Sequence, residues 1–161
     1  MKNQRFTMKK ICTVLIVLCC LFSLAACRSE GTEQTPTDME GTKMKIQIGD
    51  ASFTATLEDN AAVRELIEMM KEEPITIDMN DYSGFEKVGP LGRSLTTDNH
   101  QTTTSAGDIV LYNGNQIVMF YGSNSWSYTR IGRIDDLSGW KEALGSGNMT
   151  AVFSLSADAE S

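Results

Sequence analysis

Past position 27 the chain contains no cysteine: Cys12, Cys19, Cys20 and Cys27 are the four it has. Disulfides and thiolate metal sites are therefore excluded from everything downstream, where stability has to come from a packed core. Histidine is almost absent too. His100 stands alone in Asp98-Asn99-His100-Gln101, so a zinc or iron site lacks a ligand set, and Asp78, Asp81 and Glu86 do not have calcium-loop spacing. Three prolines and 13 glycines in 161 residues exclude a collagen-like or proline-rich chain. Nor does any apolar run reach the roughly 20 residues that span a bilayer core.

Acid is missing from the first 26 residues, which carry Lys2, Arg5, Lys9 and Lys10. The rest of the chain holds the other ten basic residues against all 21 acidic ones, a net charge of −11. A surface that acidic repels phosphate backbones, so no nucleic-acid partner is expected.

The basic start is followed by an apolar run from Ile11 to Leu24, short for a spanning helix and suited to a secretory leader. It ends in Leu24-Ala25-Ala26-Cys27, which resembles the lipobox of bacterial lipoproteins. The resemblance implies removal of residues 1–26 and lipid on Cys27, and a domain held at the extracytoplasmic face of a cell membrane. An Ala-x-Ala cleavage site beside an incidental cysteine is the alternative. Residues 28–42 (RSEGTEQTPTDMEGT) have one large apolar side chain, Met39, too little to order themselves. They read as a tether of about 20 Å average reach. Residues 157–161 read as a disordered tail.

The domain expected over 43–156 opens with alternation: Met44, Ile46, Ile48, then Phe53, Ala55, Leu57, with Gly49-Asp50 between. That is the pattern of a hairpin. Asn60 is placed to cap a helix whose Val63, Leu66, Ile67 and Met70 share one face, and Pro74 ends it. Ile75, Ile77 and Met79 alternate again as a strand. Residues 80–106 look irregular but carry apolar pegs at Tyr82, Phe85, Val88, Leu91 and Leu95, the mark of a long functional loop. Asn113-Gly114 supplies the two positive-φ positions of a type I′ turn between strands 109–112 and 116–121. Residues 122–136 read as a loop running into a strand, 137–144 as a short helix stopped at Gly145, and 148–155 as a last strand. Six or seven strands with one long and one short helix predict a mainly β fold: a small closed or nearly closed β-barrel with the helices over its openings.

Several segments resemble the bacterial cyclophilin-like domain family: IGDASFTATLEDNAAVRELIEMM (48–70), AGDIVLYNGNQIVMFYG (106–122), SYTRIGRIDD (127–136) and ALGSGNMTAVF (143–153). The resemblance implies a cyclophilin-like β-barrel and, by itself, no activity. Prolyl-isomerising cyclophilins carry a Phe-His-Arg run and a Gln-Gly-Gly-Asp stretch; both are absent here, so no catalytic residue carries over.

Candidate ligand-binding residues flank a cleft expected between the 80–106 loop and the 122–134 segment. Arg130 and Arg133 either grip a carboxylate or phosphate or pair with Asp135, Asp136 or other acids of the domain. Tyr121, Trp126 and Tyr128, with Phe85 from the loop, line an apolar pocket or belong to the barrel core and rim. Asp108 reads as a turn residue. No Ser/His/acid set has a nucleophile-elbow context, and Gly89-Pro90-Leu91-Gly92 lacks the Lys and Ser/Thr of a phosphate loop. No cofactor is expected. The chain reads as an exported, lipid-anchored, non-catalytic module for a peptide or small-molecule ligand. A divergent prolyl isomerase for exported proteins is the first alternative and an accessory to a flavin or redox system the second.

Overall fold

The structure is a computed structural model that describes residues 42–156. The leader, Cys27, most of the tether and the 157–161 tail lie outside the described residues. Two tight hairpins set the frame. β1 (Lys43–Ile48) and β2 (Ala51–Leu57) join through Gly49-Asp50 with Ile48 opposite Ala51. β6 (Asp108–Tyr112) and β7 (Gln116–Phe120) join through Asn113-Gly114-Asn115, with φ of 51° at Asn113 and 74° at Gly114. The helix α1 (Ala61–Glu72) starts where expected, since the Asn60 carboxamide oxygen accepts from the Val63 N–H at 3.0 Å. The apolar stripe Val63, Leu66, Ile67 and Met70 is buried. Leu66 meets Met44, Ile77, Ile109, Ile117, Ile131 and Phe153 in the barrel lumen, so α1 lies over one opening. β3 (Ile75–Tyr82), β8 (Ser125–Ile134), the short helix α2 (Trp140–Leu144) and β9 (Met149–Leu155) complete the expected elements. α2 begins three residues later than its apolar pattern suggests, after Gly139 in the left-handed region.

The stretch 80–106 differs from expectation, because it contains two strands. β4 (Glu86–Pro90) pairs with β3 and β7, and β5 (His100–Thr103) pairs with the start of β8. Nine strands therefore form among the described residues, not six or seven. Neither segment shows the alternation of a strand; each is recruited by a well-formed neighbour, which is how pairing overrides local pattern. Between them, Leu91 and Leu95 sink into the core, and their N–H groups donate to the Asn115 and Gly114 carbonyls at 2.9 and 2.8 Å.

Eight strands close into an antiparallel barrel in the order β2-β1-β9-β3-β4-β7-β6-β8, with β8 returning to β2; β5 extends the sheet beyond β8. The ten-residue β8 does both jobs, its first half facing β5 and its last three residues facing β2. A bulge opposite Ile109/Val110 turns it between them. At the seam Gly132 faces Leu57. A Cβ on Gly132 would lie 2.4 Å from the Thr56 carbonyl oxygen, so only glycine lets these backbones meet.

Two apolar clusters result. The larger fills the barrel beneath α1 and is closed by Trp140, which is buried edge-on to Phe53 at 4.9 Å. The smaller one, Val110, Val118, Phe120 and Tyr128 with Phe85, Val88 and Tyr112 against it, lies on the outer wall. β6 and β7 are therefore buried on both faces, as their unbroken apolar runs IVLY (109–112) and IVMF (117–120) require.

Candidate functional site: an aromatic pocket on the outer wall

The outer face of β4, β7, β6 and β8 is concave and holds a pocket of about 370 Å³. Strand alternation decides what lines it. β4 contributes Glu86 and Val88, β7 Gln116 and Val118, β6 Tyr112, and β8 Trp126 and Tyr128. Tyr82, at the end of β3, and Asn124, just before β8, close the sides. Tyr82 and Trp126 are each 58% exposed, so two aromatic rings stand up at the mouth, whereas Tyr112 and Tyr128 form a wall with ring centroids 6.1 Å apart. Asn124 positions Tyr128: its Nδ2 donates to the phenol oxygen at 3.0 Å, leaving the phenol proton free to donate elsewhere. Asn124 is in turn stapled to Thr104, its backbone N–H donating to Thr104 Oγ1 at 3.1 Å and its carbonyl accepting from the Thr104 N–H at 2.8 Å.

Glu86 is the unusual member. It is only 6% exposed, and among the described residues its Oε2 is the one buried side-chain polar atom without a hydrogen-bond partner. Burial pushes its carboxyl pKa up to about 7. Burial raises the Tyr128 phenol as well, with the charge of Glu86 adding to the effect.

Of the residues singled out in the sequence, Trp126 and Tyr128 line this pocket. Phe85 packs against the apolar cluster beside it without lining it. Tyr121 points the other way, into the barrel. Its hydroxyl donates to Asp81, which also receives the Lys87 ammonium at 2.7 Å. Lys87 is fully buried, donates to the Gly147 carbonyl at 2.6 Å and lies 5.4 Å from the Tyr121 ring centroid. Lys87 and then Tyr121 hold the Asp81 carboxyl below the usual range, while burial and the same carboxylate push Tyr121 up to about 12.

Arg130 and Arg133 do not reach the pocket. Both converge on Asp108, Arg133 at 2.8 Å and Arg130 at 3.5 Å, and Arg130 also meets Glu58 at 3.2 Å. Asp108 is thus no simple turn residue but a buried anchor that also accepts from the Ser105 N–H at 2.8 Å. Of the acids expected to pair with the arginines, Asp135 is bound instead to Lys43 at 2.9 Å. His100 is exposed beside Asp98. Among the described residues no three His, Cys, Asp or Glu side chains are placed to hold a metal, and no helix is long and apolar enough to cross a membrane.

The sequence did not single out Glu86, Tyr112, Gln116, Val118 and Asn124 as site residues, and marked Tyr82 and Val88 only as apolar pegs of the 80–106 stretch. The available signal was the two-faced apolar character of 109–112 and 116–120, which marks an outer wall that is covered or occupied.

Comparison with curated proteins finds no match. Among solved structures the chain is similar to the solution structure of the hypothetical protein AF2241 from Archaeoglobus fulgidus. The two share 17% identity at a TM-score of 0.55, over 73% of this chain and 96% of that one. At that identity the likeness is one of fold. The family model described as the cyclophilin-like family matches residues 46–154, essentially the whole barrel from β1 to β9. The chain belongs to the cyclophilin-like family.

Proposed function

We propose that the protein is a non-catalytic binding module, exported and held on a membrane by lipid at Cys27, which takes a small molecule or peptide side chain in the outer-wall pocket. The observation that carries this reading is the pocket itself: about 370 Å³, four aromatic rings and one buried carboxylate on a rigid barrel wall. Concave, largely apolar and sparsely polar is the usual character of a ligand site. A binding role is favoured over prolyl isomerisation because no arginine lines the pocket. Both nearby arginines are spent on Asp108, so a twisted prolyl amide would meet no cationic donor there.

Trp126 gives the site its own reporter. A panel of uncharged and charged small ligands, from phenol and benzyl alcohol to alkylammonium ions and a Xaa-Pro dipeptide amide, is titrated into the full chain while tryptophan emission is followed. Saturable changes are expected for at least one ligand, absent in Trp126→Phe and weakened when Tyr128→Phe removes the phenol. A panel without any saturable response, or responses retained in Trp126→Phe, would overturn the assignment. The lipid anchor is tested separately by the mass of the mature N-terminus from native membranes.

A further inference from the structure

Every ring and the one carboxylate of the pocket point to a single ligand chemistry, an inference that rests on the binding reading above. We infer that the site takes an organic ammonium ion, with Glu86 as counter-ion and the faces of Tyr82, Tyr112, Trp126 and Tyr128 around the cation.

Three observations converge on this. First, the pocket lining contains one carboxylic acid and no basic side chain. An anionic ligand would be repelled there, and a neutral apolar one would leave the Glu86 Oε2 without any partner. Second, four electron-rich rings at one site are more than an apolar ligand requires. Their negative faces attract a cation, tryptophan most strongly, and the attraction grows where water is excluded. Third, among the described residues no protein cation is available to Glu86. The neighbouring Lys87 is turned into the barrel and committed to Asp81 and the Gly147 carbonyl. The nearby arginines are committed to Asp108 and Glu58. The pocket groups that accompany Glu86 are the phenols of Tyr82, Tyr112 and Tyr128 on β3, β6 and β8 and the uncharged Gln116 further along β7. Tyr128, and Tyr121 just beyond β7, also feel the Glu86 charge. A carboxylate that the described residues leave unpaired, in a cup of aromatic rings, is completed by a cation from outside. An ammonium with an apolar body suits the mixed lining better than a metal ion, since Val88 and Val118 offer no oxygen ligands.

The test pairs choline with 3,3-dimethylbutanol, the uncharged molecule of nearly the same shape, each titrated into the full chain with Trp126 emission and calorimetry as readouts. Choline is expected to bind at least about tenfold more tightly than the alcohol, a margin that a desolvated cation–ring contact supports. Glu86→Gln should erase most of that margin, and Trp126→Ala should weaken choline in a background where Glu86 is intact. Choline binding should also tighten from pH 6 to pH 8, because bound cation and the proton on Glu86 exclude one another. Equal affinity for the two probes, or choline binding unaltered in Glu86→Gln, overturns the ammonium assignment and leaves an apolar site standing. Failure of choline with success of an uncharged ligand does the same. Failure of every ligand removes both readings.

Discussion

The indole Nε1 of Trp140 donates to the main-chain carbonyl of Phe120 at 2.8 Å, tying the short helix α2 to the last residue of β7. Phe120 in turn presents its ring to Tyr128 at 5.8 Å on the outside of the same wall. A plug inside the barrel and the apolar cluster on its outer wall therefore meet at one residue.

Replacing that plug is costly. Trp140→Ala is expected to lose about 3–5 kcal/mol in chemical denaturation, from lost burial and the cavity left behind. Trp140→Phe, which keeps most of the apolar volume but not the hydrogen bond, is expected to lose about 1–2 kcal/mol. The Phe120 oxygen still accepts from the Gly107 N–H.

Barrel closure hangs on Gly132. Gly132→Ala forces a methyl against the Thr56 carbonyl, and a loss of about 2–4 kcal/mol is expected, with hydrogen exchange accelerating first in β2 and the end of β8. Gly147→Ala, where an added methyl meets nothing within 4 Å, is the control and should change stability by less than about 0.5 kcal/mol.

Lys87 is buried only because Asp81 and the Gly147 carbonyl receive it. Lys87→Met should destabilise by about 2–4 kcal/mol, somewhat less than a fully buried pair because the Asp81 side chain keeps some solvent. The double variant Lys87→Met/Asp81→Asn should recover part of the loss in a double-mutant cycle. The Asp81 pKa is depressed on folding, so its contribution is present above the unfolded carboxylate value of 3.8 and is lost as pH falls through the lower folded value.

Glu86 has the opposite sign. Its folded pKa of about 7 lies above the ordinary 4.5, so the folded protein keeps a proton that the unfolded chain releases. Without ligand, stability should fall as pH rises from about 4.5 to about 7, by on the order of 2–3 kcal/mol, and then level off. Glu86→Gln should flatten that slope and be the more stable protein at pH 8, as measured by thermal melts across the range.

The barrel was largely legible because its strongest elements are local. Gly49-Asp50, Asn113-Gly114 and the Asn60-to-Pro74 interval are punctuated by residues whose backbone preferences act within a few positions. β4 and β5 were not legible for the converse reason. Glu-Lys-Val-Gly-Pro and His-Gln-Thr-Thr have no strand pattern of their own and become strands only against β7 and β8. Two of the nine pocket residues were hidden with β4, since Glu86 and Val88 face outward only once that strand is in place. Trp126 and Tyr128 could be singled out from β8 alone. The arginines drew attention as an anion grip because sequence cannot show Asp108 buried beneath both.

Lys43 and Ser156 are hydrogen-bonded at 3.1 Å, so the polypeptide enters and leaves the domain at one spot. That spot belongs to β1 and β9, which stand across the eight-strand ring from β7 and β6. Anything spliced to either end, whether an affinity handle, a fluorescent fusion or a sensor-chip linkage, is thus kept diametrically away from the aromatic cup. Immobilising the molecule by its termini should leave the proposed ligand pocket presented to solution, and a loop joining 156 to 43 with a new start at Asn113-Gly114 should yield a folded circular permutant.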